Sequence, residues 1–161
     1  MNLDRFIPAL LIFLSNRLSS TGSAAYTRAF GIGVMEFRVM VMLAAEPGIA
    51  AGRIVDVIGL DKGAVSRTLK RLEERGLVTA WTPEARRRLL YALSPEGRVI
   101  HDKALVIAEK RQDLLLEGVA AKDRERLIGL LRIMLGNVGK LRTLADSQKP
   151  RPARKTKVSR R

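Results

Sequence analysis

Apolar residues at Ile7, Leu11, Leu14 and Leu18 recur at spacings of four, three and four, one stripe of a helix, which Leu10 and Phe13 broaden. A second stretch with Tyr26 and Phe30 follows, and Gly31 and Gly33 break the chain after it. Residues 35–45 predict a further helix, ended by Pro47-Gly48. Past the middle of the chain, Ser94-Pro95-Glu96 reads as a helix start: a hydroxyl cap, a proline at the first position and an acid in the first turn. That helix runs to about Leu116. A last helix begins near Ala121. Its apolar positions Leu127, Leu131, Met134, Val138 and Leu141 alternate spacings of four and three, a heptad-like seam.

The middle third has a different rhythm. Residues 50–60, AAGRIVDVIGL, predict a short helix ending at Gly59, with Ile54, Val57 and Ile58 on one side. Asp61 reads as the N-cap of a second helix, DKGAVSRTLKRLEERG, with Gly76 just past its end. Two helices across a tight turn form a helix-turn-helix. In the second helix Val65, Leu69 and Leu72 face inward. The opposite face carries Lys62, Gly63, Ser66, Arg67 and Lys70, which offers cations for phosphates and guanines and a hydroxyl for base edges. Gly63, lacking a side chain, leaves room for backbone to approach DNA. Residues 77–81 and 88–93 then read as two strands around the turn TPEARR, which places Arg86, Arg87 and Arg88 at or near the tip of a wing. Arginine at such a tip suits a narrow minor groove.

Charge sharpens this picture. Lys plus Arg is 30 and Asp plus Glu is 16 in 161 residues, a formal net charge of +14. A pI near 11.2 fits a polyanionic partner. From Ser147 onward the sequence SQKPRPARKTKVSRR holds seven cations, no acid and one large aliphatic residue, so residues 147–161 are expected to be a disordered basic tail. Removing its seven charges still leaves +7 on residues 1–146. There is no Cys and a single His, which excludes disulfides and argues against metal sites; no metal or cofactor is expected. No nucleophile–base set or phosphate-cradling loop points to an enzyme. The longest apolar run, 6–14, contains Pro8 and falls short of the ~20 residues that span a membrane. With no signal peptide evident, the chain is expected in the cytoplasm, on the bacterial nucleoid and off the membrane.

Three strings carry a family resemblance: GVMEFRVMVMLAAEPG, IVDVIGLDKGAVSRTLKRLEERGLV and ARRRLLYALSPEGR. Across about residues 5–143 the chain resembles the MarR family of bacterial regulators. The resemblance implies a homodimer held by its first and last helices, with two winged domains in successive major grooves of a pseudo-palindromic operator. It assigns the recognition-helix role to Lys62, Ser66 and Arg67 and the wing role to Arg86 or Arg87. It also implies a site for a small aromatic or phenolic effector, near which the candidates are Tyr26, Phe30, Phe37 and His101. The family's wing usually carries Asp-x-Arg. Here the aspartate position falls on Ala85, or on Glu84 with a shift of one, so the short acid is absent.

The fold expected is mainly α with a small β-hairpin wing: a winged helix-turn-helix domain flanked by N- and C-terminal dimerisation helices. Residues 1–146 form that domain, with the DNA-binding lobe at about 34–93. Leu11, Leu14, Leu127, Leu131, Met134 and Val138 are the expected dimer contacts. The function expected is a sequence-specific repressor of transcription that binds double-stranded DNA as a homodimer and is released by a small ligand. A nucleoid-associated architectural protein with weak sequence preference is the alternative that the basic tail keeps open.

Overall fold

Helix boundaries in the computed structural model, which describes residues 2–84 and 88–147, follow the capping chemistry closely. After a 3₁₀ turn at Leu3–Arg5, α1 spans Ile7–Phe30 with Pro8 in its first turn, where a missing N–H costs nothing. Then come α2 (Val34–Ala45), α3 (Ala51–Ile58), α4 (Lys62–Glu74), the strands β1 (Val78–Trp81) and β2 (Leu90–Leu93), α5 (Pro95–Leu115) and α6 (Ala121–Ser147). This is the expected mainly helical fold with one hairpin. The two N-terminal stretches are a single helix of 24 residues, continuous through Gly22. Gly22 is buried there, against Tyr26, Val34 and the Arg111 guanidinium.

The chain divides into two compact units, Met1–Leu114 and Leu115–Arg161. In the first, the core is built from Val39, Met40, Leu43, Ile54, Val65, Leu69, Leu72 and Val78 of α2, α3, α4 and the hairpin, together with Ile32 just before α2 and Leu77 just before β1. Ile32, Met40, Leu43, Ile54 and Leu72 are fully buried, each worth about 2 kcal/mol in removed apolar surface. Among the described residues, every buried side-chain nitrogen and oxygen has a hydrogen-bond partner.

Three local expectations are corrected. Val57 is 47% exposed, and Val55 packs on the core with Ile54 and Ile58 in its place. Leu77 lies buried just before β1 rather than within it, and β2 begins at Leu90 rather than Arg88. The hairpin also has an unexpected neighbour: Ile49 bridges Tyr91, with Tyr91 N–H donating to Ile49 O at 3.0 Å and Gly48 N–H to Tyr91 O at 3.0 Å.

The second unit contrasts with the first. No described side chain of α6 is buried, and Leu127, Ile128, Leu130, Leu131, Ile133, Leu135, Val138 and Leu141 are between 36% and 72% exposed. Arg124 caps the preceding helix end by donating to Leu116 O (3.0 Å) and Val119 O (2.9 Å). The first half of α1 is similar, with Ile7, Leu10, Leu11, Ile12, Phe13 and Leu14 all exposed.

Candidate nucleic-acid interface

The turn between α3 and α4 is three residues long. Gly59 ends α3 in the left-handed conformation (φ 74°), a backbone state that other L-residues adopt at a cost, and its N–H closes on Val55 O at 2.9 Å. Leu60 packs against the core. Asp61 then caps α4, its Oδ1 accepting from the Ala64 N–H at 2.9 Å. The first helix of the pair is held separately: Arg53 donates to both oxygens of Glu46, at 3.1 and 2.8 Å. Those hydrogen bonds hold the Glu46 carboxyl below, and the Arg53 guanidinium above, their ordinary pKa.

So anchored, α4 divides sharply. Val65, Thr68, Leu69 and Leu72 are buried, while Lys62, Ser66, Arg67 and Lys70 are exposed. Lys70 lies 3.7 Å from Glu74, an exposed pair one helical turn apart. Among the described residues, Lys62 and Arg67 form no such ion pair. Gly63 serves Arg67 directly: a Cβ there would lie 3.1 Å from the Arg67 guanidinium and 3.1 Å from Asp61 Oδ1. The space left by the missing side chain is thus occupied by Arg67 in the free chain.

The hairpin registers Val78 with Leu93 and Trp81 with Leu90. Arg88 is exposed beside β2, whereas Arg86 and Arg87 lie outside the described residues, as do residues 148–161 of the basic tail. The far end of the hairpin is fastened to α5. Ser94 Oγ donates to Gly76 O (2.6 Å) and accepts from Gly97 N–H (2.9 Å), and Ser94 N–H donates to Leu77 O (3.1 Å). Gly97 packs directly on the Leu77 carbonyl, and a Cβ there would overlap it. Tyr91, half-buried between hairpin and core, has its phenol pKa raised by burial and by nearby Glu73.

The effector candidates come together as packing. The rings of Tyr26 and Phe37 lie 4.5 Å apart, those of Phe37 and His101 lie 6.2 Å apart, and all three residues are buried. Phe30 packs on the same cluster. His101 Nδ1 lies 2.7 Å from Asp102 Oδ1. Two guanidiniums that the sequence did not single out are held on α1. Arg38 donates to Ser19 Oγ at 2.8 Å, and Arg111 donates to Leu18 O and Thr21 Oγ1, both at 3.0 Å. Neither forms an ion pair among the described residues. Arg38 is a single cation in an otherwise largely apolar stretch and Arg111 one charge in the run Glu109-Lys110-Arg111-Gln112-Asp113, so no local pattern marks either and only the packing reveals them. No group of acids and histidines among the described residues could hold a metal ion, and no helix is long and apolar enough to cross a membrane.

A capped helix-turn-helix with a cationic outer face, followed by a β-hairpin, defines a winged helix-turn-helix protein. The family model described as MarR family matches residues 30–88. A MarR/EmrR family transcriptional regulator from Acinetobacter sp. ADP1 is 33% identical, with a TM-score of 0.82 over 87% of this chain and 99% of that one. The HTH-type transcriptional regulator YdgJ of Bacillus subtilis (strain 168) is 28% identical over 112 residues, 69% of this chain and 68% of that one. The S. aureus MepR chain, solved as a MepR–DNA complex, is 17% identical and has the same fold, with a TM-score of 0.74 over 86% of this chain and 99% of that one. The chain belongs to the MarR family of DNA-binding transcriptional regulators, which are not enzymes.

Proposed function

We propose that this regulator is a homodimeric, sequence-specific repressor that reads a pseudo-palindromic operator through α4 and the wing. The observation that carries the reading is the division of α4: one face is locked into the core while Lys62, Ser66 and Arg67 stand exposed on the other. A rigid helix with exposed cations and a hydroxyl suits base edges and phosphates in a major groove. Gly63 and Lys70 flank that surface, and Arg86, Arg87 and Arg88 are assigned to the wing contact. MepR, solved with DNA, shares the fold.

The dimer reading rests on α6 and α1. A helix with apolar residues over most of its circumference is stable only when covered. Leu127, Leu131, Met134, Val138 and Leu141 form one seam of α6, and Ile128 and Leu135 flank it. Gly129, Gly136 and Gly139 each cost an exposed helix about 1 kcal/mol relative to alanine. Packing must offset that, and a second copy covering these residues together with Leu11 and Leu14 of α1 supplies it.

Release by a small aromatic or phenolic ligand is assigned to the neighbourhood of Tyr26, Phe30, Phe37 and His101, where Arg111, which no carboxylate pairs among the described residues, suits an anionic group. The protein acts on the chromosome in the cytoplasm. An architectural reading has one specific support, the seven cations of residues 147–161.

A binding titration against a pool of genomic fragments, in about 0.15 M salt, separates the readings. Enrichment of a short inverted repeat supports the operator-reading dimer. Uniform recovery of all fragments supports a coating protein. Deleting residues 147–161 then measures the tail: it should weaken binding to all DNA alike and flatten the salt slope by up to about 0.9 for each phosphate that the tail neutralises.

A further inference from the structure

The recognition helix ends in a cluster that neither its capping nor its packing requires. Beyond Glu74 the backbone closes on itself: Gly76 N–H donates to Glu73 O and Leu77 N–H to Leu72 O, both at 2.9 Å. These bonds satisfy the helix end without side-chain help. The Arg75 side chain reaches instead across the molecule, over more than 40 residues of sequence. It donates from Nη1 to Gly31 O at 2.8 Å and from Nη2 to Phe30 O at 3.2 Å. Those are carbonyls at the C-terminal end of α1, left without helical partners and carrying the negative end of that helix's dipole.

The same guanidinium lies 4.0 Å from Glu36, a carboxylate buried at the start of α2. Glu36 also accepts from Gly33 N–H at 2.6 Å and faces Arg71 of α4 at 3.4 Å. Between α1 and α2 the chain is only Gly31-Ile32-Gly33, with Ile32 fully buried as its anchor. Arg75 therefore straps the end of α4 across the joint between α1 and α2. Among the described residues, its two bonds are the side-chain hydrogen bonds that link the end of α4 to the end of α1.

We propose that Arg75 is a positioning residue for operator recognition: by tying the end of α4 to the last carbonyls of α1, it makes the recognition helix follow α1. In the dimer proposed above, on which this inference rests, α1 belongs to the shared interface. The strap then fixes the distance between the two recognition helices, and with it the half-site spacing that is bound. Glu36 supports the strap by holding the guanidinium in place.

The test uses the full-length protein and its enriched operator, with variants that carry one or two base pairs more or fewer between half-sites. Binding is measured for wild type, Arg75→Ala, Arg75→Lys and, as a neighbouring control, Arg71→Ala. Wild type should show a sharp spacing optimum. Arg75→Ala should bind the optimal operator about tenfold more weakly, the effect of losing charge-assisted hydrogen bonds, while binding altered spacings nearly as well as the optimum. Arg75→Lys, which can still reach one carbonyl, should restore part of the optimum, and Arg71→Ala should keep it. Non-specific binding should be unchanged throughout. Weakening by the same factor at every spacing would reduce Arg75 to a stabilising contact and overturn the proposal, as would an unaltered optimum. A wild-type dimer in sedimentation without any spacing preference overturns the strap alone, whereas a wild-type monomer overturns the dimer and the strap with it.

Discussion

Helices α4 and α6 are both rich in leucine and arginine, yet the large apolar side chains of α4 are buried and none of those described in α6 is. In α4 the large apolar residues Val65, Leu69 and Leu72 occupy a single narrow arc and are buried by α2, α3 and the hairpin. What remains exposed is polar, and it is available to a ligand that is itself polar and charged. In α6 the apolar residues spread around most of the helix, and none of those described is buried. What remains exposed there is greasy, and it calls for another protein surface. Which face is already satisfied tells what kind of partner the other face awaits: nucleic acid for α4 and, in the reading proposed above, a second copy of the chain for α6.

The largest effect should come from breaking the α6 side of this contrast. Leu131→Asp with Val138→Asp places two carboxylates in the proposed seam, each costing several kcal/mol to bury unpaired. Sedimentation should show monomer where the wild type is dimer, and operator affinity should fall by about two orders of magnitude or more, because the two half-sites are no longer engaged together. Persistence of the dimer would mean that the seam lies elsewhere.

Next comes the scaffold beneath α4. Gly97→Ala forces a methyl group into the Leu77 carbonyl, and neither partner is a flexible side-chain end. Relief requires α5 to move away from the hairpin, so denaturant unfolding should show a loss of about 3 kcal/mol, at the upper end of overpacking effects. A loss below about 0.5 kcal/mol would show that this junction is soft, and the rigidity claimed for the α4 lobe would weaken with it.

Arg67→Ala addresses the exposed face itself. If the guanidinium reads a base, specific binding should weaken by about 1–3 kcal/mol, with relaxed preference at one operator position and little change on random DNA. Equal loss on both kinds of DNA would make Arg67 a phosphate contact.

These two faces were not equally legible in the sequence. The caps at Asp61 and Ser94 and the glycines 59 and 76 marked the ends of α4, the start of α5 and the turn between α3 and α4 correctly, because capping chemistry is local. The continuity of α1 was not visible. Between Ser15 and Ala25 it is mostly small and polar residues, which carry no apolar stripe; the Arg38 and Arg111 guanidiniums bond to Leu18, Ser19 and Thr21 of this stretch, and Arg111 and the Tyr26 ring fill the space at Gly22. Val57 misled because eight residues are too few to distinguish a period from its neighbour. The Ile49–Tyr91 bridge is a single residue pair, with no alternation to detect. The buried Glu36 and the strap from Arg75 depend on residues roughly 40 apart in sequence, a relation that no local pattern encodes.

The smallest effect separates local from tertiary control of α4. Asp61→Ala removes the side-chain bond to the first turn of the recognition helix and should cost about 1 kcal/mol of stability. Its consequence for DNA is more informative than its size. With the cap lost, the first turn, which holds Lys62 and Gly63, frays, while Val65, Leu69 and Leu72 stay locked in the core. Binding should then fall more than stability alone requires, by about threefold to tenfold at concentrations where the protein remains folded, because that turn must be ordered in the binding step. Asp61→Asn or Asp61→Ser, which keep a capping oxygen, should recover most of it. An Asp61→Ala variant that binds as well as wild type would show that the core holds the whole of α4 in place, and that the readout surface begins beyond its first turn.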